Sequence, residues 1–116
     1  ESKAPSAETG IDITDFSKVE IKTGKIITCE NVEGSDKLLK LKIDLGGGDF
    51  RQIISGIAKF YKPEETVGKH VLVASNLKPA TLMGIESQGM LLSVKAGKDL
   101  KIVEISEDLP LGKKLN

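Results

Sequence analysis

The sequence predicts an all-β domain closed into a small barrel, and three observations carry that prediction. Residues 37–45 alternate apolar and polar side chains with the period of a half-buried strand. Apolar, β-branched segments recur before and after them, separated by turns bearing Gly, Pro, Asn and Asp. No segment is long enough for the helical crossover that joins parallel strands. The 116 residues, 39% of them hydrophobic, fit one soluble domain with a modest core.

Residues 1–10, rich in Ser, Ala, Glu, Gly and Pro, read as a flexible leader or linker, and residues 11–116 as the folded domain. The chain opens on Glu1 rather than Met and reads as a piece or processed form of a longer protein. Ile11 to Phe16 predict a short helical turn capped by Thr14 or Asp15. Val19 to Val32 predict a long first strand. Its phase slips by one across Gly24, with Ile21 and Thr23 on one face and Ile26 and Thr28 sharing another, so a bulge or sharp bend is expected there. After the Glu33-Gly34-Ser35-Asp36 turn, Leu39, Leu41, Ile43 and Leu45 point to the core while Leu38, Lys40, Lys42 and Asp44 point away. Gly46-Gly47-Gly48-Asp49 closes a hairpin onto a third strand, Phe50 to Ser55.

Ile57 to Tyr61 predict one helical turn. Pro63 to Gly68 predict a short helix, with Pro at its start, acids in the first turn and Gly at its end. His70 to Ala74 form a fourth strand, Asn76 to Gly89 a long loop, and Met90 to Val94 and Lys101 to Ile105 the last strands, before a polar tail from Pro110. This order is that of an OB-fold, a five-stranded Greek-key barrel with a short helix between strands 3 and 4 and, here, short C-terminal additions.

Nothing in the sequence points to catalysis, a cofactor or a metal. His70 is the single histidine, whereas a zinc site needs several convergent ligands. Gly46 to Gly48 lacks the Gly-Lys-Ser/Thr ending of a phosphate-binding loop and lies between two strands. The paired Glu64 and Glu65 suit a helix start. Cys29, the only cysteine, reads as a small packing residue, and its isolation suits a reducing, cytoplasmic setting. The N-terminus shows no signal pattern, and no apolar run approaches the ~20 residues that span a bilayer. The net charge of zero conceals a split: residues 1–20 carry five acids against two bases, the remainder fifteen bases against twelve acids. Any basic surface must therefore be local. The four aromatics, Phe16, Phe50, Phe60 and Tyr61, are expected mostly in the core, so that if such a barrel binds RNA it should read shape and backbone more than a run of splayed bases.

Two stretches say more than composition. One is Val32-Glu33-Gly34-Ser35-Asp36-Lys37-Leu38-Leu39-Lys40-Leu41. The other is Ser75-Asn76-Leu77-Lys78-Pro79, followed by Gly84-Ile85-Glu86-Ser87-Gln88-Gly89-Met90-Leu91-Leu92. With Ser55-Gly56-Ile57-Ala58, they closely resemble the tRNA-binding domain family, over about Ile13 to Lys114. That family includes the C-terminal domain of methionyl-tRNA synthetases and freestanding bacterial tRNA-binding proteins. The resemblance implies a homodimeric OB-fold that grips the outer corner of tRNA without reading its sequence. Such a domain is no enzyme by itself and can be covalently part of a synthetase chain.

Lys37, Lys40, Lys42, Arg51 and Lys78 are the expected phosphate contacts, with Arg51, the sole arginine, suited to a bidentate grip. The resemblance adds Asn76, Ser87, Gln88 and Met90. Each has a plainer alternative: Lys40 and Lys42 as solvated strand residues, Asn76 and Ser87 as loop fasteners through backbone hydrogen bonds, and Met90 as core. One departure from the family stands out. Ala80, Thr81 and Leu82 follow Pro79 where many relatives carry basic residues, which predicts weaker tRNA binding. A protein-binding chaperone or secretion factor on the same fold is the competing class, set back by the retained Ser-Asp-Lys-Leu-Leu and Ser-Gln-Gly-Met signatures. A cytokine-like activity, known in some animal relatives, would need a C-terminal subdomain this chain is too short to hold. Dimerisation is expected through the turn around Phe16 and the C-terminal strands.

Overall fold

A computed structural model describes residues 10–115. The leader expected over residues 1–10 lies outside the described residues, apart from Gly10, and so does Asn116. The elements in order are α1 (Ile13–Phe16), β1 (Ile21–Asn31), β2 (Leu39–Asp44), β3 (Phe50–Ser55), α2 (Pro63–Thr66), β4 (His70–Ala74), β5 (Ala80–Leu82), β6 (Ile85–Ser87), β7 (Met90–Leu91), β8 (Ser93–Ala96) and β9 (Asp99–Ile102). The main sheet runs β3-β2-β1-β4-β7, antiparallel throughout. β3 also lies against β6 and β7, so the sheet curls into a nearly closed five-stranded barrel with a short helix after β3, as expected.

The alternation in β2 sets the interior. Leu39, Leu41 and Ile43 are fully buried, and they join Leu45, Ile26, Ile53, Ile57, Val71, Val73, Leu91 and Ile102 in one cluster. Each such side chain contributes about 1.5–3 kcal/mol by leaving water. Lys40, Lys42 and Asp44 stay at the outer surface.

β1 serves both halves of the barrel. Ile21 to Lys25 pair with β4, and Lys25 to Asn31 pair with β2. The register slip falls between Ile26 and Thr28, not at the expected Gly24. This later bulge lets both Ile26 and Cys29 meet the core and turns Thr28 outward, which corrects the Ile26–Thr28 pairing of faces. Gly24 has a different task. A Cβ there would stand 2.8 Å from both Ile43 Cγ2 and Leu45 Cδ2, so glycine permits the close approach of β1 to the end of β2.

Other expectations change in detail. α1 begins after Asp12, whose side chain makes no cap bond, so neither Thr14 nor Asp15 caps it. The supposed loop from Asn76 to Gly89 contains the β5–β6 hairpin, turned by Met83 (φ 51°) and Gly84 (φ 76°). Two positive-φ residues in succession match the turn that suits the right-handed twist of paired strands. The chain breaks pairing at Leu92, so the expected Met90–Val94 strand divides between β7 and β8, and β8–β9 forms a separate hairpin ending at Ile102 rather than Ile105. The aromatics do not fill the core: Phe16 and Phe50 are exposed, and Phe60 and Tyr61 are half-buried. Tyr61 packs at the core's edge, and its hydroxyl accepts the Ile102 amide at 3.0 Å. The tail is tied along β1: Thr23 Oγ1 donates to the Pro110 carbonyl at 2.6 Å and accepts from Lys113 N at 3.0 Å.

Candidate nucleic-acid interface

The outer face of β1, β2 and β3 forms an open groove of about 390 Å³, lined among others by Thr28, Glu30, Lys40, Lys42, Phe50, Gln52 and Gln88. Strand register assembles it. Thr28 stands opposite Lys42, which stands opposite Gln52; Glu30 stands opposite Lys40 in the next row. The period of two that buries Leu39, Leu41 and Ile43 thus places the two lysines side by side on the groove floor. Lys40 Nζ meets Glu30 Oε2 at 2.8 Å, and Lys42 Nζ lies 4.9 Å from the Phe50 ring centroid. The groove is the OB-fold face on which oligonucleotides bind in other proteins.

The rim beside β3 is built from side chains. β3 has no full strand partner on its outer edge, and Ser87 and Gln88 supply the missing acceptors. Ser87 Oγ accepts the Ile54 amide at 3.0 Å and donates to the Gly89 carbonyl at 3.1 Å. Gln88 Oε1 accepts the Gln52 amide at 3.0 Å, while Gln88 N donates to the Gln52 carbonyl at 2.7 Å. Gln52 Nε2 donates to the Glu86 carbonyl at 2.7 Å. These bonds close the barrel and fasten the β5–β6 hairpin against β3. A Cβ added to Gly34 would stand 3.5 Å from Met83 Cε, so the β1–β2 loop and the hairpin tip also meet.

The remaining expected contacts fall in several places. Lys37 lies in the exposed β1–β2 loop and Lys78 in the exposed stretch before β5. Arg51 pairs across the strand with the buried Ile43 and also lines the groove beside Lys40 and Lys42. Its guanidinium is engaged by the protein. Nε and Nη2 donate to Asp49 at 2.8 and 3.3 Å, and Nη1 donates to the Ser75 and Gln88 carbonyls at 2.7 and 3.1 Å. The hydrogen bond from Arg51 holds the Asp49 carboxyl below its ordinary pKa. Asn76 fastens the N-terminal segment: Oδ1 accepts the Glu20 amide at 2.7 Å, and Nδ2 donates to the Lys18 carbonyl. Ser87 is buried, whereas Met90 is 52% exposed rather than part of the core. The structure therefore brings Lys40, Lys42, Arg51 and Gln88 together in the groove, places Ser87 in its framework, and sets Asn76 apart at the N-terminal segment. Phe50 and Gln52 were missed as groove residues. The alternation that exposes Lys42 also exposes them, and that was the available signal.

The thiol of Cys29 is pushed up in pKa by burial, against a lowering hydrogen bond with Thr66. Among the described residues, no three of the types His, Cys, Asp and Glu converge as metal ligands, and no helix is long and apolar enough to cross a membrane.

Comparison with known proteins agrees with this architecture. The family model described as "Putative tRNA binding domain" matches residues 21–114. A methionine–tRNA ligase of Clostridium tetani is 54% identical over 104 residues, which is 88% of this chain and 16% of that relative; the chain thus spans about one sixth of the ligase. The crystal structure of a MetRS-related protein from Pyrococcus horikoshii superposes with a TM-score of 0.87 at 34% identity, covering 91% of this chain and 97% of that one. The chaperone CsaA of Bacillus anthracis shares the fold alone, with a TM-score of 0.83 at 24% identity over 93% of this chain and all of the other. With the family model spanning every strand of the barrel, the chain belongs to the tRNA-binding domain family.

Proposed function

We propose that this domain holds folded tRNA at its outer corner, without reading sequence, as the appended tRNA-binding and dimerisation domain of a methionyl-tRNA synthetase. The ligase chemistry resides in the rest of such a chain, and the domain works with the translation machinery of the cytoplasm. The observation that carries this is the family match over 21–114, the span that builds the lysine-floored groove. Lys40 and Lys42 meet phosphates from the groove floor, with Lys37 and Lys78 approaching from the flanking loops. Gln88, Ser87 and Arg51 shape the rim that presents them, while Asn76 holds the N-terminal segment in place. Met90, exposed on β7, adds apolar contact.

One observation favours a second reading, a freestanding tRNA-binding protein: the Pyrococcus horikoshii chain is matched over 97% of its length. Ile11, Ile13 and Phe16 are exposed beside the start of β1, and Leu115 bonds back to Ile21 there, which supports a homodimer seam. Light scattering during size exclusion is expected to give a dimer; a monomer at micromolar concentration refutes that part. The tRNA reading is tested by titrating folded tRNA and an unstructured RNA of equal length over a range of salt. Folded tRNA is expected to bind tighter. Equal affinities would turn attention to protein clients, and suppression of client aggregation would then support a chaperone.

A further inference from the structure

We propose that the groove also takes one unpaired nucleobase, stacked on Phe50 and bonded at its edge by Gln52 and Gln88. This rests on the reading of the domain as an RNA binder and adds a base-dependent contact to it. Phe50 is 48% exposed, a large aromatic left on the solvated face where its strand could have placed a polar residue. Lys42 Nζ lies over the ring at 4.9 Å, so a stacking base takes the ring face from this flexible side chain and leaves the ammonium beside it to meet the nucleotide's phosphate.

The two glutamines are pre-oriented. Gln52 Nε2 is held by the Glu86 carbonyl, and Gln88 Oε1 is held by the Gln52 amide. Their amides therefore cannot flip without breaking backbone bonds. Among the described residues, Gln52 Oε1 and Gln88 Nε2 have no hydrogen-bond partner, and both side chains line the groove with Phe50. The groove lining thus offers one fixed acceptor and one fixed donor beside one aromatic face. That set suits the mixed donor–acceptor edge of a nucleobase. A paired base hides both its edge and its faces, so the ligand is a base splayed from a loop. With one aromatic in the groove, the site takes one base. The volume of about 390 Å³ falls at the lower end of pockets that hold small ligands.

The test titrates the wild-type chain and Phe50→Ala with folded tRNA, with a single-stranded RNA of about six nucleotides carrying 2-aminopurine, and with the same sugar–phosphate backbone lacking bases. The wild type is expected to prefer the base-bearing strand about ten-fold and to quench 2-aminopurine. Phe50→Ala is expected to lose both effects, and Phe50→Trp to keep them; an unchanged melting temperature shows each variant folded. Equal binding of the two strands without quenching overturns the stacking site, and tRNA binding in the same experiment would still leave the tRNA reading standing. Base-dependent quenching without any tRNA binding would keep the site and overturn that reading.

Discussion

Replacing Ser87 with Ala separates framework from contact surface. Ser87 is 4% exposed, and its hydroxyl accepts the amide of Ile54, which is 6% exposed. Ile54 lies on the edge of β3 where no neighbouring strand supplies a carbonyl. Removing Oγ leaves a buried N–H without an acceptor and the Gly89 carbonyl without a donor. An orphaned buried donor costs about 1–3 kcal/mol, so a loss of about 2 kcal/mol is expected. With a urea dependence of about 1–3 kcal/mol per molar for a small domain, the unfolding midpoint should fall by roughly 1 M. Urea unfolding followed by circular dichroism measures this directly. Hydrogen exchange adds a local readout, because the Ile54 amide should lose protection. tRNA affinity measured well below the unfolding midpoint should fall only slightly. An unmoved midpoint with a ten-fold loss of tRNA affinity would refute this assignment and show that the hydroxyl meets RNA.

Two further outcomes follow from the surface. Ala80 and Thr81 lie on the fully exposed β5, so Ala80→Arg/Thr81→Lys should add phosphate contacts and raise tRNA affinity several-fold at moderate salt; no gain in a side-by-side titration would show that β5 stands away from the RNA. Arg51 lowers the pKa of Asp49 in the folded state, so this pair stabilises the fold above the unfolded carboxylate value and its contribution disappears as pH falls through the folded value, below about pH 4. Asp49 is half in solvent, which limits the effect to under about 1 kcal/mol. Thermal unfolding from pH 7 to pH 2 should show a smaller acid loss in Asp49→Asn than in the wild type, and identical losses would contradict the assignment.

What was legible in the sequence follows from how local each signal is. The alternation of Leu39, Leu41 and Ile43 against Lys40 and Lys42 reports a strand between core and water, and it gave both the barrel wall and the groove lysines. Pro63 and the acids after it marked α2 for equally local reasons. The β5–β6 hairpin stayed hidden because Met83-Gly84 is not one of the Asn-Gly or Asp-Gly pairs that announce such turns. The β1 bulge was displaced to Gly24 because a missing side chain and a register slip both interrupt a two-residue pattern. The site framework was the least accessible. Ser87 and Gln88 reach β3 across 33 and 36 residues of chain, and no local pattern encodes which backbone amide a side chain will find. Those two residues were singled out through family resemblance, which marks a position without giving its task. Arg51 looked like a free cation for the same reason: its carbonyl partners lie 24 and 37 residues away.

The central claim is that this barrel grips the shape and backbone of folded tRNA. The most direct measurement is the affinity for bulk folded tRNA and for an unstructured RNA of equal length at four or more salt concentrations. Each phosphate contact adds about −0.9 to the slope of log affinity against log salt on duplex-like nucleic acid, so contacts from Lys37, Lys40, Lys42 and Lys78 predict a slope between about −2 and −4. Tighter binding to folded tRNA with a slope in that range is the predicted result. Equal affinity for the two RNAs, or a slope near zero, would contradict the account.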